Sequence, residues 1–332
     1  MISDDHRPPL QNDPGSDRAA VEPHTRRLLD RLASQQAPTM DEVPIEQSRK
    51  ALKALMMELD RPAVSGVTSR EDTIQGPNGP VPVTIHTPAG ASGPLPVAVY
   101  LHGGGWARGD REMYDQMCRH FARAADCVVM NVEYRLAPEH RFPQGLEDSY
   151  AAVGWAHRHA GEIGGDPDRI AVLGDSAGAN FAAAIALLAR DEGIAIRLQG
   201  LIYPGVDLRR SDAYPSRRKY DDIYYFLDLQ RLHWYIDHYL ARPEDALDFR
   251  ASPILAPSHE NVAPAFVLTA ELDPLYDEGA AYGDTLKKAG VAVDYRCYPG
   301  TVHGFLSFSK AIPAGLEAQD WVAARLRAAL HS

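Results

Sequence analysis

The chain has 332 residues, 45% of them hydrophobic and 24% charged, with a formal net charge of −11. A globular protein with a sizeable core fits that balance, whereas so acidic a chain argues against phosphate backbones and anionic membrane surfaces as partners. No run of about 18 apolar residues is present to span a bilayer.

The opening "MISDDHRPPL" carries acids where a secretory leader needs a basic and then an apolar stretch. Cys118, Cys127 and Cys297 are odd in number and lack a CxxC spacing, so they read as reduced thiols. A cytoplasmic protein is expected. Residues 1 to about 20, with Pro8, Pro9, Pro14 and Gly15, read as a poorly ordered start. Leu28, Leu29 and Leu32 then mark one helix. Ile45, Leu52, Leu55, Met56 and Leu59 mark a second, with Pro44 in its first turn.

From about Val67 the periodicity changes to that of strands. "VPVTIHTP" alternates, and "LPVAVYLHGG", "CVVMNVEYR", "RIAVLGDS", "LQGLIYPG", "APAFVLTAELD" and "VAVDYRCYPG" are short apolar or β-branched runs. Helical patterns lie between several of them, among them "QGLEDSYAAVGWAHRHA" and "AGANFAAAIALLARDEG", and "AGLEAQDWVAARLRAAL" ends the chain. This alternation predicts an α/β fold with a mostly parallel sheet covered on both faces. One segment interrupts it: "RKYDDIYYFLDLQRLHWYIDHYL" is rich in aromatic and charged residues, with a helical face at Leu229, Leu232, Ile236, Tyr239 and Leu240.

"VLGDSAG" places Ser176 between Gly174 and Gly178, where small residues let a strand turn sharply into a helix and present the hydroxyl above the sheet. Alone, the pentapeptide is equally compatible with a plain turn. "HGGGW" at 102–106 follows another strand, and consecutive glycines bring backbone N–H groups close to a developing oxyanion. Asp273, at a strand end before Pro274, is the candidate acid, with Glu271 as fallback; Asp277 and Glu278 read as the solvated first turn of the next helix. His303, in the Gly-framed loop "YPGTVHGF", completes the chain order Ser, Asp, His.

Together "HGGGWARGD", "VEYRLAPEHRFP", "GDSAGAN", "DPLYDEG" and "YPGTVHGF" resemble the hormone-sensitive-lipase branch of the α/β-hydrolases, also called bacterial family IV carboxylesterases. The resemblance runs from about residue 95 to 308. It implies an α/β-hydrolase fold with a helical cap, residues 1–65 supplying cap helices and 66–332 the catalytic domain, with a cap insertion at about 208–245. It makes Ser176 the nucleophile, Asp273 the acid and His303 the base, and assigns the oxyanion hole to the N–H groups of Gly104, Gly105 and Ala177. "YRLAPEHRFP" takes a structural role beneath the site. Trp106, Asp175, Tyr225 and Phe226 are substrate-pocket candidates, with Tyr224 and Trp234 as further cap aromatics.

The implied reaction is hydrolysis of short- to medium-chain acyl esters without a metal or organic cofactor. The partner expected is a small-molecule ester, with no nucleic acid and no membrane; the sequence admits a homodimer without specifying one. An amidase, formamidase or lactonase would use the same residues. A small-molecule receptor on this fold is the reading from another class, disfavoured because His303 stands in its motif. The stripe from Ile45 to Leu59 is expected to pack on the 210–242 segment and form one cap over Ser176.

Overall fold

The computed structural model describes residues 20–35 and 40–332; the start expected to be poorly ordered lies outside the described residues, apart from its last position. Helix α1 (Pro23–Ser34) begins at Glu22, whose carboxylate accepts from the N–H groups of His24 and Thr25, and Pro23 sits in the first turn, where a missing N–H leaves no bond unmade. The Glu22 N–H itself donates to the Gly300 carbonyl at 3.0 Å. Helix α2 (Ile45–Leu59) buries Leu52, Met56 and Leu59, with Pro44 as N-cap, one position before the expected first turn.

Eight strands follow: β1 (Val67–Gly76), β2 (Gly79–Pro88), β3 (Leu95–Leu101), β4 (Val128–Val132), β5 (Gly165–Asp175), β6 (Leu198–Ile202), β7 (Ala265–Leu272) and β8 (Val293–Val302). They form one sheet in the order β1-β2-β4-β3-β5-β6-β7-β8. β2 pairs antiparallel with β1 and β4; from β4 to β8 every pairing is parallel. β3, β4 and β6 are buried along their whole length. That is why they read as continuous apolar runs.

Between the strands lie α3 (Asp115–Ala125), α4 (Gln144–His159) and α5 (Ala177–Glu192). The segment between β6 and β7 carries α6 (Pro215–Lys219), a single turn at Ile223–Tyr225 and α7 (Leu229–Tyr239); α8 (Tyr276–Lys288) and α9 (Pro313–Leu330) complete the described helices. Val97, Val99 and Leu101 of β3 face a core shared with α4, α5 and α8. Ala98 and Tyr100 face one shared with α3 and α9. Among the described residues no helix is long and apolar enough to cross a membrane.

The partner of the N-terminal stripe differs from expectation. α1 touches the insertion, at the Ile223–Tyr225 turn, whereas α2 lies against the Phe305–Phe308 turn. Leu52, Met56 and Leu59 share a cluster with Phe121, Phe305 and Phe308. α2 thus buries Leu52, Met56 and Leu59 at the mouth of the sheet domain, with Phe226 of the insertion packed against the same cluster, while Ile45 packs against the cluster that holds Leu232 and Tyr235 of α7.

Candidate active site

The chain leaves β3 to pair with β4 on one side and later adds β5 on the other, so the loops at their carboxyl ends diverge and open a crevice. Leu101 lies opposite Gly174 across β3 and β5, which brings the Gly-rich loop after β3 beside the turn after β5. In that turn Ser176 has φ 54° and ψ −116°, a conformation costing roughly 1–3 kcal/mol for a non-glycine residue. The turn is held by Ser176 N–H to Ile202 O at 2.8 Å and Asn180 N–H to Ser176 O at 3.0 Å. A Cβ at Gly178 would run into the Leu101 backbone. Only glycine fits.

His303 and Asp273 converge on this serine. Nδ1 of His303 lies 2.7 Å from an Asp273 carboxylate oxygen, and Nε2 lies 2.8 Å from Ser176 Oγ. The carboxylate accepts, so Nδ1 carries the proton and Nε2 is left to accept from the serine hydroxyl. Asp273 is fully buried, and its other oxygen accepts from the Leu275 N–H at 2.8 Å. Glu271, the fallback acid, instead accepts the Gly300 N–H at 2.7 Å, three residues before His303.

Asp277 and Glu278 do open α8, but the expectation that they are solvated is wrong, since both are buried. Asp277 accepts from the Ser216 N–H at 2.7 Å; Glu278 accepts from Val206 N–H at 2.8 Å and from Arg217 Nε at 2.9 Å. α6 of the insertion covers this helix start and supplies Ser216 and Arg217, and Val206 comes from the loop after β6.

Gly104, Gly105 and Trp106 all have positive φ, at 126°, 62° and 59°. Among the described residues the N–H groups of Gly104 and Gly105 have no acceptor. Ala177 is the first residue of α5, where backbone N–H groups lack intrahelical partners and the dipole favours negative charge. The neighbouring Gly103 N–H is committed, donating to Asp175 at 2.7 Å. A Cβ at Gly105 would run into the Tyr235 ring of α7. Tyr134, at the head of "YRLAPEHRFP", donates its hydroxyl to the His102 carbonyl at 2.6 Å beneath the loop.

The four pocket candidates separate. Trp106 lines the cavity, stacked on Tyr239 at 4.7 Å with its Nε1–H donating to Asn180. Phe226 lines it too, edge-on to Phe308 at 4.9 Å. Tyr225 is 3% exposed and packs instead with Val21, Leu29 and Tyr220. The Ile223–Tyr225 turn directs its neighbours Tyr224 and Phe226 to the cavity. The Asp175 carboxylate is committed within the protein: besides Gly103 N–H it accepts from Tyr100 and Tyr114 hydroxyls at 2.8 and 3.3 Å, and burial pushes its pKa up. It ties the end of β5 to the Gly-rich loop, and it lines the floor of the same cavity with its carboxylate already engaged. Trp234 stacks on His238, away from the cavity.

The cavity above Ser176 and His303 measures about 640 Å³. Its apolar wall includes Leu29, Leu32, Leu52, Leu55 and Met56 of α1 and α2 and Leu232 of α7. Two arginines also reach it, Arg108 and Arg231. The sequence reading named neither, although Arg108 sits inside "HGGGWARGD"; a cation two residues past the Gly-rich loop was the signal.

A family model for the α/β-hydrolase fold matches residues 98–307. Carboxylesterase NlhH of Mycobacterium tuberculosis is 41% identical over 265 residues, 76% of this chain and 79% of its own length. Esterase LipI of the same organism is 34% identical over 330 residues, 97% of this chain and 99% of its own. A solved ester hydrolase from the metagenome of Lake Arreo, complexed with a bipyridine phosphonate derivative, matches with a TM-score of 0.90 and 37% identity over 94% of this chain and 100% of that one. The chain therefore belongs to the α/β-hydrolase family, in its hormone-sensitive-lipase-like branch.

Proposed function

We infer that the chain is a serine carboxylesterase acting on short- to medium-chain acyl esters, as its relatives named esterases suggest. The observation that carries this reading is the unbroken hydrogen-bond line from Asp273 through His303 to Ser176 Oγ, with both bonds below 3 Å. In the proposed reaction Ser176 attacks the ester carbonyl as His303 takes its proton, and Asp273 stabilises the imidazolium that forms. The tetrahedral oxyanion is held by the N–H groups of Gly104, Gly105 and Ala177. His303 then protonates the departing alcohol, and water repeats the sequence on the acyl-enzyme.

N-terminal residues up to about 65 and the insertion at about 208–245 act, in this reading, as one cap. Support comes from the cavity, whose apolar wall both segments line. The free cysteines fit a cytoplasmic setting; light scattering on the purified protein would read out a homodimer. Ser176→Ala tests the central claim. With p-nitrophenyl esters of increasing acyl length, the variant should lose roughly 10⁴- to 10⁶-fold in kcat while keeping its circular dichroism spectrum. Residual activity within tenfold of wild type would sink the mechanism.

A further inference from the structure

Arg108 belongs to the same tight turn as the candidate oxyanion glycines, its N–H donating to the Gly104 carbonyl at 3.0 Å. From there its side chain lines the cavity that holds Ser176 and His303. Nη1 donates to Ser48 Oγ of α2 at 3.1 Å, the guanidinium lies 5.0 Å from the centre of the Tyr235 ring, and Nε is buried without an acceptor. Among the described residues no carboxylate lies within ion-pair distance of it.

The acids nearby are otherwise engaged. Asp175 accepts from Gly103 and the tyrosines beneath the serine, and Asp273 from His303 and Leu275. Asp222 accepts from the Tyr224 N–H at 2.9 Å, and Asp228 lies 3.4 Å from Arg231. Arg231 is also anchored to the Phe226 carbonyl at 3.1 Å. Burial, with Arg231 as the nearby like charge, lowers the Arg108 pKa to about 10, so it stays cationic at neutral pH.

A cation at a largely apolar wall without a counter-ion is unfavourable unless something charged comes to meet it. Holding α2 does not explain it, since a neutral donor would serve Ser48 as well. The −11 net charge does not cancel the local field, because exposed charges are screened beyond about 8 Å at physiological salt.

We propose that Arg108, backed by Arg231, is an anion subsite of the ester-binding cavity, and that the preferred substrates are esters bearing a carboxylate, such as half-esters of short dicarboxylic acids. This rests on the esterase reading and specifies its substrate class. Guanidinium geometry suits it, since its parallel N–H donors match a carboxylate.

The test compares matched esters by pH-stat titration. One arm places the charge on the acyl side: monoethyl succinate, glutarate and adipate against ethyl butanoate, pentanoate and hexanoate. The other places it on the alcohol side: 4-acetoxybutanoate against butyl acetate. In the wild type, kcat/KM should favour the anion by tenfold or more on one arm, and which arm does so assigns the subsite to acyl or alcohol. A ratio below tenfold on both arms overturns the proposal, while hydrolysis of the neutral esters that is lost in Ser176→Ala leaves the esterase reading standing.

Arg108→Met should lower the favoured ratio by roughly 10- to 100-fold, the loss expected for one charge-assisted hydrogen-bond partner, and Arg108→Lys should restore part of it. An unchanged ratio in a folded Arg108→Met protein removes Arg108 from the subsite. The wild-type comparison decides the substrate class even if the variant does not fold.

Discussion

Arg217→Met takes the only cation from a buried ion pair that joins the insertion to the start of α8. Glu278 is fully buried and Arg217 is 5% exposed. Burial already holds the Glu278 carboxyl above its usual range with Arg217 beside it. Arg217 also donates to the carbonyls of Arg209 and Asp207 at 2.8 and 2.5 Å.

Without it, Glu278 either remains charged and unpaired, at a cost of about 3–5 kcal/mol, or takes up a proton. Neutralising a carboxyl of ordinary pKa near 4.5 at pH 7 costs at most about 3.4 kcal/mol, from 1.36 kcal/mol per pH unit. The cheaper route wins, so the loss at pH 7 should be about 3 kcal/mol, or roughly 6 °C in Tm at about 2 °C per kcal/mol for a chain this long. The sign follows. In the variant the folded-state pKa of Glu278 lies well above the unfolded value, so the loss grows as pH rises. Urea unfolding at pH 6 and pH 8 should differ by about 2 kcal/mol more in the variant than in the wild type. A loss under 1 kcal/mol, or one independent of pH, would refute the reasoning. Adding Glu278→Gln should recover much of the stability.

Asp273→Asn should lower kcat by on the order of 10⁴-fold by favouring the wrong imidazole tautomer, whereas Asp277→Asn should lower Tm through its bond to the Ser216 N–H and leave kcat near wild type; the reverse pattern would move the acid to Asp277. Burial pushes His86 and His120 down to about 4, so the unfolded chain binds more protons between about pH 6.5 and 4 and stability falls with pH through that window, by at most about 3 kcal/mol per imidazole. Asp60, pushed up to about 6 by burial, opposes this, as do the buried carboxyls of Asp175 and Glu278. The imidazole contribution is therefore read from His120→Gln, in which the loss of stability between pH 7.5 and pH 5 should be smaller than in the wild type; an unchanged pH dependence would contradict the reasoning. Met56→Trp narrows the apolar wall and should shift the acyl-length optimum down by two or more carbons, each unburied methylene forfeiting about 0.8 kcal/mol, near fourfold in kcat/KM; an unchanged chain-length profile would put Met56 outside the acyl path.

The buried strands were legible because both their faces are covered, which leaves only apolar residues to write them. β1 was marked only by the change of pattern near Val67, since "VTSREDTIQG" is an edge strand that buries little beyond Ile74. Ser176, Asp273 and His303 stand out in the sequence because each follows a strand, with glycines beside Ser176 and His303 and Pro274 after Asp273. The burial of Glu278 was not legible, because Arg217 lies 61 residues earlier in the chain and no local pattern links them. Tyr225 was misplaced by one position for a similar reason: which of three consecutive aromatics faces a cavity depends on the phase of a single turn. Arg108 looks like any surface cation until the cavity closes around it.

The bond between Glu22 and Gly300 fastens the beginning of α1 to the strand that delivers His303. The other ties of α1 run to cap elements, the Ile223–Tyr225 turn with the Tyr224 hydroxyl on Asp30 and the exposed Arg31–Glu58 pair to α2, so it should open at lower free energy than the sheet. When it lifts, the last stretch of β8 loses a support and the imidazole loses its fixed bearing on the serine. Heat should therefore silence the enzyme before it melts. Amides of α1 should exchange with solvent well ahead of those in β3 and β5, and the temperature of half-maximal activity should fall below the midpoint seen by circular dichroism.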